Sequence, residues 1–75
     1  MKFGELKGVC RASFYVIHAV NARGERACEV INLHEAVDGH LRLSRYDDVE
    51  IIAFSTITTL WGDGAVAALE VDVRV

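Results

Sequence analysis

The sequence holds no proline, and its two cysteines, Cys10 and Cys28, stand far apart with no C-x-x-C spacing. The first absence excludes a proline-rich linker or recognition segment. The second leaves neither a redox pair nor a zinc knuckle signalled, so buried reduced thiols are expected. A disulfide between neighbouring strands stays open for an oxidising compartment, since spacing alone does not decide it. Basic excess is also missing. Eight Lys plus Arg stand against eleven Asp plus Glu, a formal charge of -3, whereas nucleic-acid binders carry clustered positive charge that displaces counterions. The close arginine pairs, Arg23/Arg26 and Arg42/Arg45, read as turn-solvating residues. Long apolar runs are absent: stretches such as Ile51-Ile52-Ala53-Phe54 fall far short of the ~20 residues that span a bilayer. Met1 to Lys7 contains Glu5 and leads into no apolar h-region, so no signal peptide is read. A soluble, cytoplasmic protein without membrane or nucleic-acid partners is the expectation.

What is present is apolar. Hydrophobic residues make up 52% of 75 positions, which excludes a disordered or low-complexity chain. The length allows one domain, 1–75, and a chain this short buries only ~60% of the surface its unfolded form exposes. Much apolar content in so small a body implies a partner.

The pattern along the chain is that of strands. Val9 to Val20 is rich in β-branched and aromatic residues and ends at the turn Asn21 to Glu25. Helix-like spacing of Phe3, Leu6, Cys10, Phe14 and Ile17 competes, but the Phe14 to Ile17 cluster would lose rotamer freedom in a helix. Arg26 to Leu33 returns with Ala27, Glu29, Ile31 and Leu33 on one face. A short helical turn is expected over Leu33 to Asp38, closed by Gly39. His40 to Arg45 alternates as a half-buried edge strand with Leu41 and Leu43 inward. A long strand, Val49 to Trp61, then reaches the tight turn at Gly62-Asp63-Gly64. In the last stretch Leu69, Val71, Val73 and Val75 alternate with Glu70, Asp72 and Arg74, a strand that must be paired. The expected fold is mostly β, or α+β with one short helix: a small antiparallel sheet or partly open barrel of about five strands.

Chemistry-bearing constellations are sparse. His34, Glu35, Asp38 and His40 place two imidazoles and two carboxylates within seven positions, a candidate metal site although not an H-E-x-x-H motif. Solvated turn residues are the plainer reading of the same four. His18 with Cys10 or Cys28 would make a nucleophile and base only in a cleft, which a small sheet hardly provides. Ser13, Ser44 and Ser55 lack a nucleophile-elbow context, and Asp47/Asp48 read as turn formers. Gly62-x-Gly64 is a hairpin turn and no phosphate loop. Trp61 beside it is either a lid over the sheet or an anchor for a partner. Base stacking by Phe14, Tyr15, Phe54 or Trp61 would have only Arg11 near the first pair.

Phe14 to Val20 (FYVIHAV) and Glu50 to Phe54 (EIIAF) resemble the tryptophan-responsive RNA-binding attenuation proteins, which form rings of β-subunits. The resemblance covers about a dozen positions. It does not extend to the RNA-contacting lysines and arginine of that family, because Leu60 to Gly64 reads LWGDG here. What it implies is assembly.

The expectation is therefore a non-enzymatic protein-interaction module without a cofactor, self-associating with a dimer favoured, and binding a protein partner. Its contact is either the strand Val49 to Trp61, through Ile52, Phe54, Leu60 and Trp61, because that strand carries Ile51, Ala53 and Ile57 on one face and Ile52, Phe54 and Leu60 on the other, or the edge strand His40 to Arg45, through Leu41 and Leu43. An inhibitor of the kind phages and mobile elements encode, acting by occlusion, is a variant of this reading. The alternative is a small ligand- or metal-responsive regulator using the His34 to His40 turn.

Overall fold

The computed structural model describes residues 1–35 and 37–75. In chain order it contains α1 (Phe3–Val9), β1 (Phe14–Val20), β2 (Arg26–Asn32), α2 (Gly39–Ser44), β3 (Glu50–Trp61) and β4 (Gly64–Arg74). The strands make one sheet, ordered β2-β1-β4-β3. The hairpins β1/β2 and β3/β4 are antiparallel, and they meet along a parallel β1/β4 seam. The expected mostly-β fold with a short helix is what forms, and the sheet does not close into a barrel.

Three local expectations are corrected. His40 to Arg45 lies in and at the end of α2 and is no edge strand, so the sheet has four strands and is mixed. Its Leu41/Leu43 alternation misleads because Leu43 is buried and Leu41 is 69% exposed; the Arg42 amide donates to the Asp38 carbonyl at 2.9 Å, a helical contact. Gly39 opens this helix instead of closing the preceding turn. That turn contains Asn32, whose Oδ1 accepts the His34 amide at 3.0 Å, while its Ala36 position lies outside the described residues. The helix-like spacing of Phe3 and Leu6 proves real in α1, which ends before β1 begins.

Both helices lie over one face of the sheet. Phe3 and Leu6 of α1 and Leu43 of α2 pack with Tyr15, Ile17, Ile31, Leu69, Val71 and Val73 in one core, so the clean alternation of β4 does mark its buried side. Phe3 meets Tyr15 and Tyr46 edge-on, with centroids 6.0 and 6.2 Å apart, contacts worth ~0.5–1.5 kcal/mol each beyond the area they bury. Gly4 lets α1 approach the 46–49 turn, since a Cβ there would stand 3.1 Å from the Asp47 carbonyl oxygen. The opposite face of the sheet is partly polar, with His18 against Glu70 at 3.2 Å and Arg26 near Asp72 at 4.0 Å.

One carboxylate stands on the core side. Glu29, opposite Ile17 in the register, accepts the Tyr46 hydroxyl and two guanidinium nitrogens of Arg42, at 2.9 and 2.8 Å. These bonds tie α2 and its following turn to β2. The Tyr46 hydroxyl first, and the Arg42 guanidinium after it, hold the Glu29 carboxyl below its ordinary value, against the opposing effect of burial. Burial, with the Glu29 bond and charge behind it, pushes Tyr46 up to about 12.

The β3/β4 hairpin outreaches its neighbours. β1 pairs with β4 only from Leu69 to Arg74, so the far half of the hairpin is a two-stranded ribbon, and such ribbons are marginal alone. Gly62, at φ +61°, takes the first turn position, where the type II′ turn needs a positive angle. The ribbon coils back so that Trp61 lies edge-on to Phe14 with centroids 5.1 Å apart, and its Nε1 donates to Glu35 Oε1 at 3.0 Å.

Two predictions follow from these contacts. A carboxyl with a lowered folded value stabilises above its unfolded value of 4.5 and loses that contribution as pH falls through the folded one; a phenol raised from 10.0 to about 12 stabilises below the first value and loses that contribution as pH rises through the second. The urea midpoint should accordingly fall below pH 4.5 and again above pH 10.0; Glu29→Gln should weaken both slopes and Tyr46→Phe remove the alkaline one, and parallel profiles in all three proteins would refute the linkage. Trp61→Ala removes one aromatic pair and one hydrogen bond, about 2 kcal/mol of ribbon stability. Amide exchange should quicken at 56–60 and 64–67 while 15–17 and 71–73 keep their protection, and a uniform loss would show that the ribbon does not open as a separate unit.

Candidate interaction surface

The sheet order makes β3 an edge strand. Its outer side is paired among the described residues only at the start, where Lys2 bridges Glu50 and the Ile51 amide donates to the Met1 carbonyl at 2.9 Å. From Ile52 onward no strand among the described residues lies beside the backbone of that side. A free edge presents unpaired N–H and C=O groups and invites another strand, unless charge, proline or a cover prevents it. Between Ile51 and Trp61 the sequence has neither a charged residue nor a proline.

A bulge sets which side chains flank this edge. Ile51 pairs with Val73 and Ala53 with Asp72, so Ile52 is the extra residue. The sequence expectation that put Ile52 and Phe54 on one face and Ile51 on the other is therefore corrected. Ile51 lies opposite core-facing Val73, and Phe54 lies opposite core-facing Val71. Leu60, level with Ala65, continues the same face. Burial follows this alternation along the ribbon: Ile57 and Thr59 are half-buried, whereas Thr56, Thr58 and Leu60 are exposed. On this edge strand Phe54, level with the core, is 51% exposed, and Leu60, out on the overhang, is 82% exposed. A cleft of about 410 Å³ opens beneath it between the 10–13 segment and Thr56, Ala67, Ala68 and Leu69.

The six expected contact residues thus separate. Ile52, Phe54 and Leu60 lie together along the exposed part of β3, and Leu41 is exposed on α2, away from that strand. Leu43 is a core residue, 1% exposed, and has no surface to offer a partner. Trp61 keeps 41% exposure and is engaged with Phe14 and Glu35 at the ribbon's tip.

The other candidates do not assemble into reactive groups. Among the described residues no three His, Cys, Asp or Glu side chains come together as a metal set. Of the four proposed ligands, Glu35 accepts Trp61, Asp38 lies 3.9 Å from Arg42, and His34 and His40 line one cleft. His18 and Cys28 are register partners on the face away from the helices, yet the hydrogen bond of His18 Nε2 runs to Glu70. Both cysteines are free, Cys28 exposed and Cys10 half-buried. Of the arginine pairs, Arg42 is a structural ion-pair partner of Glu29 and not a turn solvator.

No helix among the described residues is long and apolar enough to cross a membrane. No family model, curated protein or solved structure matches the chain.

Proposed function

We propose that this chain is a non-enzymatic protein-interaction module that acts through the free edge of β3, and that the first partner of that edge is a second copy. The observation that carries the reading is the unprotected, uncharged edge from Ile52 to Trp61 with Phe54 and Leu60 exposed beside it.

The edge is self-complementary. Two antiparallel β3 strands related by a dyad at Ile57 would set Phe54 of each copy opposite Leu60 of the other, on one face, with Thr56 opposite Thr58. Aromatic–aliphatic and Thr–Thr cross-strand pairs each contribute ~0.2–1 kcal/mol, and no like charges meet. The isologous geometry closes after two copies, which favours a dimer over an open array. Surface area supports the same reading. The chain exposes 4969 Å², whereas area scaling gives ~4,600 Å² for a compact monomer of its mass. The overhanging ribbon accounts for the elongated shape, 37 × 23 × 21 Å.

A foreign strand would use the same edge by β-augmentation, which is how an occluding inhibitor would act. Light scattering at micromolar concentration separates the two. The expected mass is twice 8.3 kDa, falling to the single-chain value in Phe54→Asp and Thr58→Lys with the circular dichroism spectrum retained. A wild-type monomer across that range would remove the self-pairing reading and leave a foreign strand as the occupant to seek.

A further inference from the structure

A second concavity lies away from β3, between the end of α1, the 33–34 turn and α2. It has a volume of about 500 Å³ and is lined by Lys7, Arg11, Ala12, Ser13, Tyr15, Leu33, His34, His40, Leu43 and Ser44, within the size range of small-molecule sites, ~300–1,000 Å³. Two cationic side chains, two imidazoles and three hydroxyls share its wall, and no carboxylate does. In a chain of net charge -3 this is a segregation of positive and donor groups into one hollow.

The cations are not equivalent. Lys7 Nζ is held by Asp47 Oδ1 at 2.7 Å, while Arg11 is exposed and has no carboxylate within ion-pair distance among the described residues. The nearby acids of the turn are occupied, Glu35 by Trp61 and Asp38 by Arg42. A hydroxyl without a protein partner adds to these groups. Tyr15 is 2% exposed, and its hydroxyl has no hydrogen-bond partner among the described residues. Yet no fully occluded side-chain oxygen or nitrogen there lacks a partner. The hydroxyl is therefore not fully occluded, and Tyr15 is one of the residues that line the cleft.

We propose that this cleft binds a small phosphate monoester with an apolar body. The guanidinium fork of Arg11, the imidazoles of His34 and His40 and the hydroxyls of Ser13 and Tyr15 exceed what one carboxylate needs, and they suit a dianion with three terminal oxygens. Leu33 and Leu43 offer an apolar wall for the rest of the molecule. Arg11 and Ser13 also border the cleft below β3, but none of these residues lies in β3 itself, so Phe54→Asp, which tests the pairing of β3, leaves every proposed ligand group in place.

The test is a titration of the ¹⁵N-labelled full chain with phenyl phosphate at constant ionic strength, with inorganic phosphate, phenylacetate and sodium sulfate as comparators. Saturable shifts confined to 7–15 and 33–44 are expected, with phenyl phosphate tighter than either inorganic phosphate or phenylacetate. Arg11→Ala, at an exposed position, should weaken binding about tenfold or more, the loss of a charge-assisted hydrogen bond. Tyr15→Phe, which keeps the ring in the core, should weaken it several-fold with the melting temperature retained. Shifts that do not saturate, equal responses to sulfate, or an unchanged affinity in Arg11→Ala would overturn the proposal. A phosphotyrosine peptide that binds more tightly than phenyl phosphate would overturn its restriction to small molecules.

Discussion

The inner face of the sheet is longer than the two helices that cover it. α1 has seven residues and α2 six, whereas β3 and β4 have twelve and eleven. At 1.5 Å rise per helical residue and about 3.3 Å per strand residue, the helices reach only a fraction of the hairpin's length. This mismatch decides where every other feature falls. The core gathers where α1 and α2 meet β1, β2 and the second half of β4. Phe54, level with core residue Val71, is left in solvent beside it on the edge strand, while Leu60 is exposed beyond it on the overhang, where the ribbon needs Trp61 folded back on Phe14 to hold its tip.

Against that size limit, the core end is held by polar contacts as well as by apolar area. Glu29 lies on the face where an unpaired carboxylate would be costly. Its partners come from a helix and a turn thirteen and seventeen positions away in sequence, so satisfying the charge also fixes the placement of α2. A short helix has little stability of its own. The six residues of α2 are helical because Leu43 reaches the core and Arg42 reaches Glu29 from adjacent positions, which an extended segment would point to opposite sides.

This explains what the sequence discloses. The β4 alternation and the Gly62 turn are legible because burial and backbone angle act on neighbouring residues. His40 to Arg45 misreads as a strand because its alternation is real while its structure is imposed by tertiary contacts. The Ile52 bulge is silent in sequence, since one extra residue changes the phase of a strand without changing its composition. The cleft is spread over positions 7 to 44, and only His34 and His40 mark it locally. Their charged companions on the wall, Lys7 and Arg11, come from the other end of the chain, so a local search pairs the histidines with Glu35 and Asp38, whose side chains are used elsewhere.

The two edges of the sheet differ in a way that bears on assembly. β2 is the other edge, but it is seven residues long, carries Arg26 and Glu29, and has α2 tied to it through the latter. These are devices that discourage pairing: short length, charge and a neighbouring cover. β3 has twelve residues, its only charged residue is Glu50 at the paired end, and its one irregularity, the bulge at Ile52, comes at the start. A bulge there re-aims the first residues and leaves the rest regular, so it cannot protect the stretch from Ala53 to Leu60. The sheet thus guards one edge by three means and leaves the longer one open, with the exposed Phe54 and Leu60 along that open side, which is the asymmetry the proposed pairing of β3 draws on.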